Sequence, residues 1–185
     1  MAQARQSKRQ ARSGRPELMI ALVFIGGAVL LLAVGAILAN RPVEITSDGD
    51  VVRGAMIRAT HEMGGGAPIP FLPKDGPQPD VTVGESFHDF GRIGPRDIVT
   101  HTFFVRNDGD APLTISRAYT TCGCTTAEVS ADVIPPGKAV AVELRFDAGF
   151  HDSAGQTVRR GVILENNDPD QPQTELWVQA EVASK

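Results

Sequence analysis

Short runs in which apolar and polar residues alternate, bounded by turn-forming residues, fill the sequence from Val81 onward. Alternation with a period of two indicates strands with one buried face, and no helical periodicity interrupts these runs. The segment Ile134-Pro135-Pro136-Gly137-Lys138 is typical of the turns between them. Seven strands are predicted, within residues 81–90, 97–107, 113–119, 125–129, 139–146, 156–165 and 175–182. Strands this short, separated by turns every ~8–12 residues, predict an all-β antiparallel sandwich.

A second constraint lies near the N-terminus, where residues 18–39, from Leu18 to Ala39, include no charged side chain. At ~1.5 Å per residue, an α-helix of this length crosses a ~30 Å hydrocarbon core. We therefore expect a single transmembrane helix that holds residues 18–39 in the lipid bilayer. A cleaved signal peptide is the alternative, because small residues such as Ala36 and Ala39 end the run. The apolar run is, however, longer than the ~7–15 residues usual in such peptides.

Charge on the two sides of the apolar run predicts its orientation. Residues 1–17 carry five basic side chains and a single acid, Glu17. An excess of positive charge before a membrane helix favours a cytoplasmic N-terminus. We therefore expect a basic cytoplasmic arm at 1–17 and a single-pass protein of the cell membrane. Its C-terminal domain would be extracytoplasmic, in the periplasm or at the cell surface.

The part of the chain beyond the helix is acidic. Because residues 1–17 carry a formal charge of +4 and the whole chain −4, the remainder carries −8. A domain without a basic cluster does not match the phosphate backbone, so no nucleic acid partner is expected. Residues 40–80 are rich in proline and glycine and predict an extended extracytoplasmic spacer, with a small ordered piece at 50–59. The sandwich domain is predicted at 81–185.

Several separate motifs in this domain resemble those of one bacterial family. They are FHDFGRI at 87–93, NDG at 107–109, TCGCT at 121–125, IPPG at 134–137, LRFD at 144–147 and NNDP at 166–169. This order is similar to that of the bacterial domain of unknown function 1573, which is akin to immunoglobulin-like modules of the HYDIN and major-sperm-protein type. The resemblance spans about Val81 to Val182. It implies a seven-stranded, immunoglobulin-like sandwich outside the cytoplasm, often tethered by a helix or lipid, and it implies no established activity.

The two cysteines of the chain, Cys122 and Cys124, are separated only by Gly123. In a regular strand, residues two apart have Cα atoms ~6.6 Å apart, near the upper limit for a disulfide. Gly123 would let the backbone bend enough for the bond to close. One interpretation is that the pair, bonded or free, only shapes a turn at the end of a strand. Outside the cytoplasm, exposed thiols are oxidised, so free cysteines would not be kept reduced there.

Two functional interpretations of the same pair stay open. A strained, exposed disulfide exchanges readily with other thiols, which would suit a thiol-redox role. As thiolates, Cys122 and Cys124 would instead bind Cu(I), a soft ion, with His88, His101 or His151 as a third ligand. A structural zinc site is not expected, because it needs four ligands and the sequence has no second cysteine pair.

The sequence contains no Gly-x-Ser-x-Gly, phosphate-loop or metalloprotease motif. We therefore expect a binding or scaffold module rather than an enzyme, without a cofactor of its own. It would be an accessory or assembly subunit that docks on other subunits of a membrane-protein complex. The alternative is a periplasmic copper-binding or thiol-redox factor that uses Cys122 and Cys124. Trp177, the single tryptophan, is predicted to lie in the core, with an interface anchor as the alternative.

Overall fold

The computed structural model describes residues 48–61 and 73–184 of the chain. Its regular elements are a short 3₁₀ helix at Asp48–Asp50 and ten strands: β1 (Ile57–Ala59), β2 (Val81–Val83), β3 (Phe87–Ile93), β4 (Ile98–Asn107), β5 (Leu113–Thr120), β6 (Thr125–Val129), β7 (Val133–Ile134), β8 (Ala139–Asp147), β9 (Thr157–Asn166) and β10 (Gln173–Val182). The prediction of an all-β domain is confirmed. The predicted arm and the predicted transmembrane helix, from Leu18 to Ala39, lie outside the described residues. Within the described ranges, no helix has the length and apolar character needed to span a membrane.

The strands form two five-stranded sheets. Sheet I has the order β1-β6-β8-β4-β2, and sheet II has the order β3-β10-β9-β5-β7. Neighbouring strands are antiparallel, except that β3 runs parallel to β10. The order β2-β4-β8-β6 in one sheet and β5-β9-β10 in the other is that of the ABED and CFG strands of immunoglobulin-type sandwiches. The other three strands extend the edges of this arrangement.

The core lies between the two sheets and is built by alternation along the long strands. In β8, for example, Val140, Val142 and Leu144 are fully buried, while Glu143 between them is exposed. Burial of one such apolar side chain contributes about 1.5–3 kcal/mol to stability. The largest fully buried side chains come from both sheets and include Phe103, Phe146, Leu113, Leu144, Leu164 and Leu176.

The strand count differs from the predicted seven in three places. The predicted opening strand at 81–90 is two strands, because the chain pairs with β4 in sheet I along β2 and with β10 in sheet II along β3. β3 also continues past Gly91, which has a φ of 65° at a bulge opposite β10. The two-residue strand β7 pairs with the start of β5. β1 falls within the small ordered piece predicted at 50–59 of the spacer, and it pairs with β6 at the edge of sheet I.

Asn107, at the end of β4, is a fully buried polar residue that joins three loops. Its side-chain amide donates hydrogen bonds to the carbonyl oxygens of Ala111 and Ile134, both at 2.8 Å. Its side-chain oxygen accepts from the backbone amides of Gly109, at 3.1 Å, and Asp80, at 3.3 Å. One side chain thus satisfies four backbone groups where the chain leaves sheet I.

We predict that Asn107→Ala lowers the free energy of unfolding by about 3 kcal/mol or more, because buried backbone groups lose their partners. Asn167→Ala is the matched control, since the partly buried Asn167 bonds only two backbone groups, those of Thr114 and Pro112, and we expect a loss of about 1 kcal/mol. Denaturant unfolding of the full-length chain in mild detergent measures both. Equal losses for the two variants would contradict the role assigned to Asn107.

Candidate functional site

The cysteine pair lies in the short loop that takes the chain from β5 in sheet II to β6 in sheet I. The hydroxyl of Thr120 lies within hydrogen-bond distance of the carbonyl oxygens of Cys122, at 3.1 Å, and Thr125, at 3.0 Å. The amide of Thr125 also donates to the carbonyl of Cys122 at 3.1 Å. These bonds fold the loop back on itself and bring Cys122 and Cys124 together.

Cys122 and Cys124 are joined by a disulfide, and their Cα atoms lie 5.2 Å apart. This separation is shorter than the ~6.6 Å of a regular strand because the pair occupies a turn between sheets. Cys124 is only 4% exposed, whereas Cys122 is partly exposed. The ring of Phe150 lies beside Gly123, at ordinary contact distance of 3.5 Å from where a Cβ atom would be. Cys122 is therefore the half of the pair that another thiol or a metal ion would reach first.

Arg160, on β9, brings a positive charge to the buried half of the pair. Its Nε donates a hydrogen bond to Sγ of Cys124 at 3.2 Å, and its Nη1 donates to the carbonyl oxygen of Arg159 at 2.8 Å. A guanidinium beside sulfur stabilises the thiolate, which is the form of cysteine that attacks disulfides and binds metals. Once the disulfide is reduced, Arg160 therefore favours a charged Cys124.

The loop between β8 and β9 brings His151 to the cysteines. The ligand atoms of Cys122, Cys124 and His151 all lie within 4.8 Å of one another, and His151 is exposed. The strand end from which this loop starts is bonded to the pair, because the amide of Asp147, the last residue of β8, donates to the carbonyl of Cys124 at 3.0 Å. Two thiolates and one imidazole form a donor set that suits a soft ion such as Cu(I).

The other two histidines proposed as third ligands are grouped elsewhere. His88 and His101 form a separate cluster with Glu85. Among the residues that the structure describes, His151 is therefore the histidine placed to join Cys122 and Cys124. Its position in a loop far along the sequence gave no sign of this contact.

The outer face of sheet II carries a second group of side chains, centred on Trp177. The prediction that Trp177 lies in the core is wrong, because its neighbours Leu176 and Val178 take the buried positions of β10 and Trp177 is half-buried on the opposite face. Its ring lies on Gly161 of β9, where a Cβ atom would come within 2.7 Å of a ring carbon. Its indole N–H donates to a carboxylate oxygen of Glu175 at 2.9 Å. The tryptophan is thus held in one orientation at the surface.

Two arginines stack on the aromatic rings of this face. The guanidinium of Arg159 lies 4.9 Å from the ring centre of Trp177 and 5.3 Å from that of Phe87. The guanidinium of Arg117 lies 5.0 Å from the ring centre of Tyr119. Strand pairing places these residues on one side of the sheet, since Phe87 is opposite Trp177, Trp177 opposite Gly161, and Tyr119 opposite Ile163, two residues further along β9.

We call Phe87, Arg117, Tyr119, Arg159 and Trp177 the aromatic face. It includes the single tryptophan and the single tyrosine of the chain. Tryptophan, tyrosine and arginine are the residue types most enriched where binding energy concentrates in protein interfaces. The sequence signal for this face is the alternation of the last strand, because Trp177 falls between the apolar residues Leu176 and Val178 and so lies on the other side of the sheet.

The two arginines of the aromatic face differ in their acidic partners. Arg117 donates to a carboxylate oxygen of Glu165, and this hydrogen bond raises the pKa of the guanidinium above its ordinary value. Arg159 has no acidic side chain within ion-pair distance in the described part of the chain, and it is exposed. Its charge is therefore available to a group from outside the domain.

Comparison with known proteins finds one matching protein family and solved structures with a similar fold. A family model described as "Protein of unknown function (DUF1573)" matches residues 81–182. No curated protein matches the chain at a significant level. A solved structure of a protein of unknown function from Porphyromonas gingivalis has a TM-score of 0.51 at 21% identity, over 56% of this chain and 46% of its own. This chain thus spans less than half of that protein, and the similarity shows a shared fold.

Two further solved structures have lower similarity. The ASH/PapD-like domain 7 of human CEP192 has a TM-score of 0.43 at 11% identity, over 64% of this chain and 97% of its own. The YadV chaperone has a TM-score of 0.41 at 12% identity, over 56% of this chain and 52% of its own.

We predict that Arg160→Gln slows the alkylation of reduced Cys124 by iodoacetamide at pH 7 by roughly 3–10-fold, because less of the thiol is ionised without the guanidinium. Arg159→Gln is the matched control, since this neighbouring arginine points to the opposite face of β9 and should leave the rate unchanged. Peptide mass spectrometry of the reduced full-length chain measures the rate at Cys124. An equal rate in wild type and Arg160→Gln would contradict the role of Arg160.

Proposed function

We propose that this chain, which belongs to the DUF1573 family of proteins of unknown function, is a binding module anchored in the cell membrane. The predicted helix from Leu18 to Ala39 would hold it there as a single-pass protein, with the sandwich on the extracytoplasmic side. Its role would be that of an accessory or assembly subunit of a larger membrane-protein complex. The aromatic face is the observation that carries this proposal.

The aromatic face suits binding because its side chains are already ordered. Trp177 is held between Gly161 and the carboxylate of Glu175, and Arg159 is stacked on it. Association normally costs about 0.5–1.5 kcal/mol for each flexible side chain that becomes fixed. Side chains that are already fixed avoid much of this cost, so more of the contact energy remains as affinity.

The chemistry of the face specifies the kind of partner. Arg159 offers a planar set of N–H donors that matches a carboxylate, and the rings of Phe87 and Trp177 offer apolar surface beside it. The partner would therefore be an extracytoplasmic segment of another membrane protein that places an acidic side chain next to an apolar one. No nucleic acid is proposed, in keeping with the acidic charge of the chain.

Membrane anchoring would make such a surface effective at low intrinsic affinity. Two proteins confined to one bilayer meet at a much higher effective concentration than they would in free solution. In this proposal the domain recognises and holds a partner and catalyses no reaction.

We predict that Trp177→Ala and Arg159→Glu each reduce the recovery of the co-purifying partner about tenfold or more, as expected for central interface residues. Phe104→Ala is the matched control, because Phe104 is 39% exposed on the outer face of sheet I and lies outside the aromatic face. Tagged full-length protein is extracted from its own organism in mild detergent, and partners are quantified by mass spectrometry. Circular dichroism confirms that each variant is folded.

Two results would contradict the proposal. In one, wild-type protein leaves the native membrane as a free monomer. In the other, a stoichiometric complex forms and survives both substitutions on the aromatic face.

A second candidate function, a copper-binding or thiol-redox factor, is favoured by the convergence of His151 and Arg160 on Cys122 and Cys124. In the redox step, a partner dithiol would transfer two electrons and two protons to the disulfide and itself become a disulfide. The two resulting thiols would release their protons to solvent as Cu(I) binds to both sulfurs and to His151, and the positive charge of Arg160 would offset part of the negative charge of the thiolates.

We predict that the reduced full-length chain binds one Cu(I) ion and that His151→Ala weakens this binding about tenfold or more, through loss of one ligand. His61→Ala is the control, because His61 contacts the carbonyl of Thr120 and lies outside the ligand group. Competition with a chromophoric Cu(I) chelator measures the affinity. Cu(I) binding that persists when Cys122 and Cys124 are both replaced by serine would rule out this site.

A further inference from the structure

A group of metal-ligand side chains lies at the opening between the two sheets, away from both surfaces described above. His88 is on β3 in sheet II, His101 is on β4 in sheet I, and Glu85 precedes β3. β3 is the edge strand of sheet II, and β2 pairs with β4 only from Val105 to Asn107. The two histidines therefore face each other across the sandwich at its open edge. At this edge β3 has no further strand beside it, and the part of β4 that holds His101 is not covered by β2.

The carboxylate of Glu85 contacts both imidazoles. One of its oxygens lies 3.3 Å from Nδ1 of His88, and the other lies 3.1 Å from Nε2 of His101. The three ligand atoms lie within 4.8 Å of one another. In a tetrahedral site with metal–ligand bonds of ~2.0–2.1 Å, neighbouring ligand atoms are ~3.3 Å apart. Each contact involves a different carboxylate oxygen, so an ion bound through one of these oxygens has one ligand spacing already in place and requires the other imidazole to move.

The histidine rings have the freedom for that adjustment. They are stacked with centroids 3.7 Å apart and planes 9° apart, and an ion bound to both nitrogens requires the rings to turn out of this stack. The side chain of His88 is 32% exposed and that of His101 20% exposed, so both rings border solvent. Solvent also supplies an entry path for the ion and a water molecule for the fourth position.

Two phenylalanine rings pack against the histidines. Phe90 packs edge-on against His88, with centroids 4.8 Å apart, and Phe103 packs edge-on against His101, with centroids 4.6 Å apart. Aromatic side chains of this kind limit the directions in which the rings can turn and exclude water from the inner side of the cluster. The cluster thus has aromatic rings on its inner side and solvent on its outer side.

We infer that Glu85, His88 and His101 form a binding site for one divalent transition-metal ion of the Zn²⁺ class. Neutral imidazole suits Zn²⁺, and two histidines with one glutamate are a known three-ligand set that leaves a fourth position for water. Ca²⁺ and Mg²⁺ prefer all-oxygen sites, and the cluster has no thiolate for Cu(I). The bound ion joins β3 of sheet II to β4 of sheet I, and it stabilises the folded domain because it binds the folded form.

The test uses the oxidised full-length chain in mild detergent, without a histidine tag, so that Cys122 and Cys124 stay joined and no thiolate competes for zinc. After treatment with a chelator, Zn²⁺ is added in competition with a chromophoric zinc indicator, and thermal unfolding is recorded with and without the ion. We expect one Zn²⁺ per chain and a higher melting temperature in its presence.

Glu85→Gln and His88→Gln are the decisive variants, because both retain side-chain size at positions that border solvent. Each should weaken Zn²⁺ binding at least tenfold and abolish the rise in melting temperature, while His61→Gln should change neither. The absence of saturable binding in the starting protein would overturn the site. So would binding that remains equally tight in Glu85→Gln and His88→Gln.

Discussion

The burial of one face of each sheet against the other is the constraint on which the rest of this structure depends. A strand directs its side chains in only two directions, so each residue of the sheets faces either the shared core or the outside. Leu176 and Val178 are buried between the sheets and so fix the register of β10. That register places Trp177 outward, on Gly161, beside Arg159. A slip of one residue would expose the two apolar residues and bury the tryptophan, so the packing of the core also positions the aromatic face.

Groups able to bind ions occur where side chains from different sheets meet. At the crossing from β5 to β6, Cys122 and Cys124 receive Arg160 from sheet II and His151 from the loop after β8. Between β3 and β4, an opening in the sandwich lets two histidines and Glu85 come together from both sheets. The first group offers sulfur and the second only nitrogen and oxygen, so the two groups would select ions of different softness. The aromatic face offers no such ligand set and is suited to a protein surface.

Much of the sandwich was predictable from the sequence, because alternation and turn residues report local structure directly. The division of the first predicted strand between β2 and β3 was not, since both parts alternate and only tertiary pairing shows that they belong to different sheets. The outward position of Trp177 was predictable from the alternation of β10, because Leu176 and Val178 take the other face, but the prediction followed the high average burial of tryptophan instead. The approach of His151 to the cysteines and of His88 to His101 depends on contacts between distant segments, which spacing along the chain does not reveal.

The central claim is that a partner covers the aromatic face in the native membrane. Hydroxyl-radical footprinting tests it directly, because Trp177 and Tyr119 are the only residues of their types in the chain and report on this face alone. Oxidation is compared between native membranes and full-length protein purified from a host that lacks the partner, with exposed Phe104 on sheet I as the internal reference. The account predicts that Trp177 and Tyr119 are protected in the native membrane and reactive in the partner-free protein, while Phe104 reacts equally in both. Equal oxidation of Trp177 and Tyr119 in the two samples would contradict it.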